Sequence, residues 1–205
     1  SISEGGVEKD GTITWTFEDQ DPGASGTVSF KVKVTEEAAG STVNNSAEIK
    51  IGDNSPATST VINPVPGKQE MTKPDKIGEG TVLTYQITFV NTDGVDAAAD
   101  VIDALTKGQQ YNEGSAKVQI NDGEATVTNP TVDGDAASGQ TLTWNLTDLP
   151  ENAEVVITFD VTVTRDAGAS VDNTATVNGH STNTTTTPYP SDDKKDVAFA
   201  DEPEI

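Results

Sequence analysis

The sequence contains no cysteine and a single histidine, and basic residues are few. Without cysteine the chain cannot form a disulfide, a thiolate zinc site or a thiol nucleophile. One histidine excludes most multi-histidine metal sites and leaves little for a Ser-His-Asp triad. Twelve Lys and Arg residues stand against 34 Asp and Glu, so the formal net charge is −22. This charge repels phosphate backbones and anionic lipids, which argues against nucleic-acid and membrane partners.

Long apolar runs and leucine are also scarce. No apolar run approaches the roughly 18 residues of a membrane-spanning helix, so we expect no membrane insertion. The opening residues, SISEGGVEKD, lack the basic and apolar regions of a signal peptide. Only 5 Leu accompany 30 Thr and 21 Val. Because β-branched side chains suit strands better than helices, this composition predicts an all-β protein.

An internal repeat runs through the chain. Trp15 matches Trp144, and Asn45 matches Asn173 at almost the same spacing. Four segment pairs recur in the same order: 12–19 with 141–148, 29–34 with 158–163, 43–49 with 171–177, and 63–68 with 187–194. Self-similarity of this kind indicates tandem homologous domains.

The phase of the repeat predicts the domain boundaries. Residues 1–64 correspond to the C-terminal half of a preceding repeat, and residues 65–190 form one complete repeat. Residues 191–205 then supply a linker and the first strand of a following repeat. We therefore expect a segment of a longer array.

Short strands separated by Gly- and Asp-rich turns fill the complete unit. Residues 82–91 (VLTYQITFVN) alternate with a period of two, and residues 121–123 (NDG) give a hairpin signal. Residues 96–105 tolerate a helix, but their DVIDAL end favours a short strand. The Thr-rich residues 181–190 fit a last edge strand running into a linker. Seven or more such strands predict a β-sandwich.

The series 78–118, then 142–150 (LTWNLTDLP), then 171–177 (VDNTATV) resembles the DUF11-type repeat. This family overlaps with the isopeptide-forming domains of Gram-positive fimbrial and adhesin proteins. The resemblance implies tandem Ig-like (CnaA/DUF11-like) β-sandwich domains in an extracellular, cell-wall-anchored surface protein.

The resemblance also implies a chemical site. In isopeptide-forming members a first-strand Lys bonds to a last-strand Asn, and an Asp or Glu between them promotes the reaction. The lysine corresponds best to Lys68, with Lys73 and Lys76 as alternatives, and the asparagine to Asn173. The family's DxLPxG segment falls on residues 103–108, which places the acid at Asp103 and puts threonine where the family has proline.

Neighbouring repeats would carry partial copies of this site. Asn45 corresponds to Asn173, and Lys194 or Lys195 corresponds to Lys68. We expect Asn45 to stay unlinked in this chain, because its lysine would precede residue 1.

The chemistry requires burial. A lysine amine attacks an amide carbon only when neutral, and burial lowers its pKa. The same desolvation raises the pKa of a buried carboxyl, so Asp103 could hold a proton, polarise the Asn173 carbonyl and shuttle the proton as ammonia leaves.

Acidic clusters offer a weaker hypothesis of calcium binding, because Ca²⁺ prefers oxygen ligands. The candidates are Asp19 and Asp21 beside Glu18, and the pair Asp133 and Asp135. Neither cluster has EF-hand spacing, and turn chemistry on a solvated surface explains both more simply. We therefore expect no cofactor.

The function predicted from sequence is a structural stalk or spacer of a surface adhesin or fimbrial protein. Its partners would be neighbouring repeats, with a host-surface ligand bound through other regions. The alternatives are a ligand-binding adhesin module contacting host protein or glycan, and a subunit of an S-layer or polymeric filament. No nucleophile–base set is visible, so we do not expect an enzyme.

Overall fold

A computed structural model describes residues 2, 3, 5–74 and 77–188 of the chain. It divides into two compact units, Ser1–Thr35 and Glu36–Ile205. Among the described residues, no helix has the length and apolar character needed to cross a membrane.

The first unit is small and mostly exposed. Strands β1 (Val7–Lys9) and β2 (Thr12–Thr14) form an antiparallel hairpin. The Trp15 ring lies 6.0 Å from that of Phe30, and its indole N–H donates to the carbonyl of Ser3 at 2.7 Å. An aromatic pair therefore organises this unit.

The second unit begins with a 3-10 turn, Glu36–Ala38, and a long hairpin. Strands β3 (Thr42–Ile49) and β4 (Ala57–Pro64) pair antiparallel along their whole length, and neither contains a buried residue. The chain then passes so close to itself that a Cβ on Gly67 would lie 2.5 Å from the Cα of Gly40. Glycine is required at this approach because any side chain would collide with backbone.

Twelve further strands build a β-sandwich. They are β5 (Gly67–Glu70), β6 (Val82–Val90), β7 (Ala97–Leu105), β8 (Gln109–Tyr111), β9 (Lys117–Ile120), β10 (Thr126–Val127), β11 (Thr131–Asp135), β12 (Gly139–Leu149), β13 (Glu154–Val163), β14 (Ser170–Val177), β15 (His180–Ser181) and β16 (Thr185–Pro188). One sheet has the order β10-β9-β13-β6-β5, with β8 also paired to β13. The other has the order β11-β12-β7-β14-β15, with β16 also paired to β14.

The core lies between the two sheets. Along β6 and β13 the side chains alternate between buried and half-buried positions, as a period-two strand requires. Tyr85 pairs with Phe159 in the register, and Trp144 from the facing sheet packs with its ring 5.4 Å from that of Phe159. These large, fully enclosed side chains supply most of the apolar area that holds the sheets together.

The all-β sandwich predicted from sequence is confirmed. The segments 82–91 and 121–123 form the expected strand and hairpin turn, and the Thr-rich stretch supplies β16. Residues 97–105 form one continuous nine-residue strand, longer than the short strand expected at their end. These residues form a strand and not a helix because β7 lies between β12 and β14, which satisfy its backbone hydrogen bonds on both sides.

The two segments that repeat in sequence share local structure. Trp144 packs on Phe159 as Trp15 packs on Phe30, and both indoles donate to a backbone carbonyl. Residues 29–34 differ from their counterpart in β13. Within the described chain, their β pairing is limited to an isolated bridge between Phe30 and Ile2. In β13 the neighbouring strands β6 and β9 supply the pairing that residues 29–34 lack.

The aromatic core gives a first prediction. Trp144 is 2% exposed, and Trp144→Ala removes its packing on Phe159 together with its hydrogen bond to Thr128. We expect the free energy of unfolding to fall by about 3–5 kcal/mol, measured by urea denaturation. Val95→Ala is the control, because Val95 is 72% exposed and should change it by less than about 0.5 kcal/mol. Equal effects of the two changes would contradict this assignment of the core.

Candidate functional site

The polar side chains of Lys68, Asp103 and Asn173 lie inside the apolar core of the sandwich. Lys68 is 3% exposed, Asp103 is 0% exposed and Asn173 is 1% exposed. Lys and Asp are almost never buried this completely unless they are paired, so their placement needs a specific reason.

The alternation of the strands turns Asp103 and Asn173 inward. On β7, Asp103 lies between the buried Val101 and Leu105, and on β14 Asn173 lies between the buried Val171 and Ala175. The register pairs Asp103 with Ala175 and Asn173 with Leu105. Asp103 and Asn173 are therefore diagonal neighbours on one face of the same sheet, a spacing that long side chains can bridge.

Lys68 reaches them from the opposite sheet. It stands on the edge strand β5, where it pairs with Ile87 of β6. Its Nζ lies 4.9 Å from the ring centroid of Tyr85 and 5.1 Å from that of Phe159. The same Nζ donates a hydrogen bond to Oδ2 of Asp103. The lysine therefore spans the core between two aromatic faces and ends at the buried carboxyl.

Burial perturbs both members of the pair. Desolvation lowers the pKa of Lys68 below its ordinary value, and the opposite charge of Asp103 only partly offsets this. Desolvation likewise raises the pKa of Asp103 above its ordinary value, against the opposing effect of Lys68. Both shifts favour a neutral amine beside a protonated carboxyl, because charge is costly in this enclosed site.

The Asn173 amide is adjacent to the acid but not tied to it. Its proximity acts to lower the pKa of Asp103, in the same direction as Lys68. Even so, neither Oδ1 nor Nδ2 of Asn173 has hydrogen-bond geometry with any described group, and Oδ1 of Asp103 is also unpaired. Buried polar atoms without partners are rare and costly in folded proteins. The amide is therefore held in place by the packing around it.

A second polar network supports the lysine through Tyr85. The Tyr85 hydroxyl donates to Oε1 of the fully buried Gln109 at 3.0 Å. Nε2 of Gln109 donates to the Thr106 hydroxyl and to the carbonyl of Asp172, both at 2.9 Å. The Thr106 hydroxyl in turn donates to the same carbonyl at 2.8 Å. Thr106 thus ties the end of β7 to β14 beside Asn173.

The turn after β7 needs its glycine. Gly108 has φ +88°, and a Cβ there would lie 2.2 Å from the Cα of Ala167. Both the left-handed backbone and the lack of space exclude other residues. This turn brings Gln109 back towards the core directly after the strand that carries Asp103.

Asn183 contacts Lys68 and was not predicted from the sequence. Its Oδ1 accepts a hydrogen bond from the Lys68 backbone N–H at 2.9 Å, and its Nδ2 donates to the Lys68 carbonyl at 2.9 Å. Gln109 was missed as well. Asn183 lies in a Thr-rich stretch without core periodicity, so no pattern pointed to it; for Gln109 the position next to the 103–108 segment was the available signal.

The remaining predicted residues lie elsewhere. Lys73 is exposed at a positive φ of 43°, outside the core. Asn45 is exposed on β3. The other three lysines named from the repeat pattern fall outside the described residues: Lys76, Lys194 and Lys195.

The acidic candidates for calcium do not gather into a ligand set. No group of three or more His, Asp or Glu side chains suited to a metal ion occurs within the described ranges. Asp19, Asp21 and Asp133 are exposed. Asp135 accepts hydrogen bonds from the Ser138 hydroxyl and backbone, and these bonds lower its pKa, as in an ordinary turn.

Comparisons with known proteins give weak structural similarity. No protein-family model matches the chain, and no curated protein matches it significantly. The RrgB pilus backbone of Streptococcus pneumoniae is 23% identical with a TM-score of 0.42, covering 56% of this chain and 31% of that one.

Two adhesin domains show similar likeness. The N-terminal domain of the Streptococcus gordonii adhesin Sgo0707 is 17% identical with a TM-score of 0.48, covering 69% of this chain and 37% of that one. The collagen-binding domain of a Staphylococcus aureus adhesin is 12% identical with a TM-score of 0.41, and the match covers 60% of this chain and 96% of that domain. The chain thus spans about a third of the pilus backbone and of the Sgo0707 domain. Scores this low say nothing about what its own residues bind or do.

The buried carboxyl gives a second prediction. In Lys68→Met, Asp103 loses the amine contact that lowers its pKa, so that pKa should rise further. The folded state then keeps a proton that the unfolded chain releases above a pH of about 4. The contribution of Asp103 to the free energy of unfolding should therefore be greatest at acid pH and fall as pH rises, by up to about 1.4 kcal/mol per pH unit.

Urea denaturation across a pH series measures this slope. The double variant Lys68→Met/Asp103→Asn is the matched control, since it keeps every other acidic group and removes only the buried carboxyl. A single variant and a double variant with the same pH dependence would show that Asp103 does not titrate in this way.

Proposed function

We propose that this chain forms an intramolecular isopeptide bond between Lys68 and Asn173, promoted by Asp103, and serves as a covalently braced spacer of a bacterial surface protein. One observation carries the proposal: the three side chains that the family resemblance implies lie together in an apolar core, where Lys68 is hydrogen-bonded to Asp103 and Asn173 lies beside them. A lysine on the surface and an aspartate in a turn would both be exposed, whereas Lys68 and Asp103 are buried.

The reaction balances without a cofactor. Neutral Nζ of Lys68 attacks Cγ of Asn173, and the protonated Asp103 donates a hydrogen bond to the developing oxyanion on Oδ1. The new Nζ–Cγ bond forms, the Cγ–Nδ2 bond breaks, and a proton passed through Asp103 lets Nδ2 leave as ammonia. Proximity supplies the rate, because the sandwich makes the attack intramolecular. The reaction occurs once per chain, so it is self-modification without turnover.

The bond would join the two sheets. Lys68 lies on the edge strand of one sheet and Asn173 on the facing sheet, so the cross-link closes a loop of roughly 100 residues. A covalent closure of that length removes unfolded-state entropy worth about 4–5 kcal/mol. Tension applied near residue 68 and after residue 173 would load this bond instead of the hydrogen-bond ladders of the sandwich.

A spacer role agrees with the remaining features. The described residues show no metal-ligand cluster, and the acidic surface keeps an extended array soluble through self-repulsion. A cross-link through lysine and asparagine also suits a chain without cysteine, because an amide bond is insensitive to redox conditions. Following the family resemblance, we propose that the parent protein lies outside the cell, on a Gram-positive surface, with neighbouring repeats as partners.

Intact-mass measurement tests the bond. The folded chain should be lighter than its sequence by the mass of one ammonia, and a branched peptide linking Lys68 to Asn173 should follow proteolysis. Lys68→Ala and Asn173→Ala should keep the full sequence mass, because each lacks one reacting group. Asp103→Ala should keep it or lose ammonia far more slowly.

Lys73→Ala is the matched control. Lys73 lies five residues from Lys68 but is exposed, so its removal should leave the ammonia loss intact. A folded wild-type chain with the full sequence mass would refute the bond, and a branched peptide through Lys73 would refute the assignment.

A further inference from the structure

The strand that carries Lys68 contains little to hold its own register. β5 has four residues, Gly67–Glu70, and pairs with β6 on one side only. Its sequence, GKQE, offers no apolar residue that would mark an inward face. A slip of one residue would turn Lys68 to the other side of the sheet, because side chains alternate along a strand. Burial of a lysine opposes the inward register, since it removes the ammonium from water.

Asn183 supplies backbone hydrogen bonds on the side of β5 that has no neighbouring strand. Its amide accepts from the Lys68 N–H and donates to the Lys68 carbonyl, both at 2.9 Å, which is what one residue of a neighbouring strand would do. Since both Lys68 backbone groups point to Asn183, they point away from β6. The fit requires an amide, because one atom must accept and the other must donate.

The backbone around Asn183 is hydrogen-bonded directly to β14, the strand that pairs with β7 at Asp103. The Thr182 N–H donates to the carbonyl of Ala175 at 2.9 Å, and the Ala175 N–H donates to the Thr182 hydroxyl at 3.1 Å. That hydroxyl donates to the Asn183 carbonyl at 2.9 Å. Ala175 is the register partner of Asp103. The segment that carries Asn183 is therefore fixed on β14 at the register partner of Asp103, and from there its side-chain amide reaches the backbone of Lys68.

We propose that Asn183 is the positioning residue for the cross-linking lysine: its side-chain amide clamps the Lys68 backbone so that the Lys68 amine enters the core at Asp103 and faces Asn173. This inference rests on the isopeptide bond proposed above and assigns Asn183 no part in the covalent step. The bond still forms between Nζ of Lys68 and Cγ of Asn173 with release of ammonia, and Asn183 acts only through the register of β5.

The test measures the rate of ammonia loss after synthesis. Chains are made by cell-free translation, sampled over time and analysed by intact mass. Asn183→Ala removes both hydrogen bonds and should slow the reaction by about tenfold or more relative to wild type.

A matched control separates positioning from general stability. Asn178→Ala also removes an amide that accepts a backbone N–H bond at 2.9 Å, from Asp100 at the other end of β7. It adds strain of its own, because Asn178 has a positive φ of 48°. It should nevertheless cross-link within about twofold of the wild-type rate. If it slows the reaction as much as Asn183→Ala does, the clamp has no special role.

Asn183→Asp provides a readout that a merely structural role would not give. An ionised aspartate accepts from the Lys68 N–H but repels the Lys68 carbonyl, so near neutral pH the rate should be as low as for Asn183→Ala. A protonated aspartate presents one donor and one acceptor, as asparagine does. The rate relative to wild type at the same pH should therefore recover as pH falls towards about 4, while that of Asn183→Ala stays flat.

Each outcome has a separate meaning. Wild type that loses no ammonia refutes the isopeptide bond, and with it the clamp. Wild type that reacts while Asn183→Ala reacts equally fast refutes the clamp alone. If Asn183→Ala fails to fold, the pH-dependent ratio for Asn183→Asp decides, and a ratio that does not change with pH contradicts the clamp.

Discussion

The candidate site depends on one interaction, the buried contact between Lys68 and Asp103. Taking an ammonium and a carboxylate out of water costs several kcal/mol per ion, and removal of one partner leaves the other uncompensated. Desolvation opposes charge on both groups, so their pKa values move towards each other. The desolvation that makes this pair a costly salt bridge also favours the neutral form of each group, and these are the forms that the proposed reaction would use. The aromatic rings of Tyr85 and Phe159 complete the enclosure and limit where the amine can lie.

The surrounding polar groups make sense as supports for this pair. Gln109 and Thr106 tie the end of β7 to Asp172, beside Asn173, and orient Tyr85 against the lysine. Asn183 bonds to the backbone of Lys68 on the side of β5 that faces away from β6. Strands β5, β7 and β14, which are far apart in sequence, therefore bring their polar side chains together between the sheets. The unpaired atoms at that point, on Asp103 and Asn173, are the ones that the proposed reaction would use.

Much of the fold was predictable from local patterns. The alternation in residues 82–91, the turn at 121–123 and the abundance of β-branched residues gave an all-β sandwich, because strand periodicity and turn chemistry are local properties. The extent of β7 was not predictable, since pairing with β12 and β14 determines it. The same holds for residues 29–34, whose pattern resembles β13 although the described chain gives them no neighbouring strands.

The site divides in the same way. For Asp103 and Asn173 the sequence by itself determined the inward face, because apolar residues two positions to either side commit each strand to one orientation. For Lys68 no such neighbours exist in GKQE, and only the resemblance to a family selected it among the lysines. Its burial, its meeting with Asp103 and the Asn183 amide on its backbone were decided by the tertiary structure alone. The physical reason is that a hydrogen bond between residues 68 and 183 has no local signature: it exists only once two separate sheets have closed on each other.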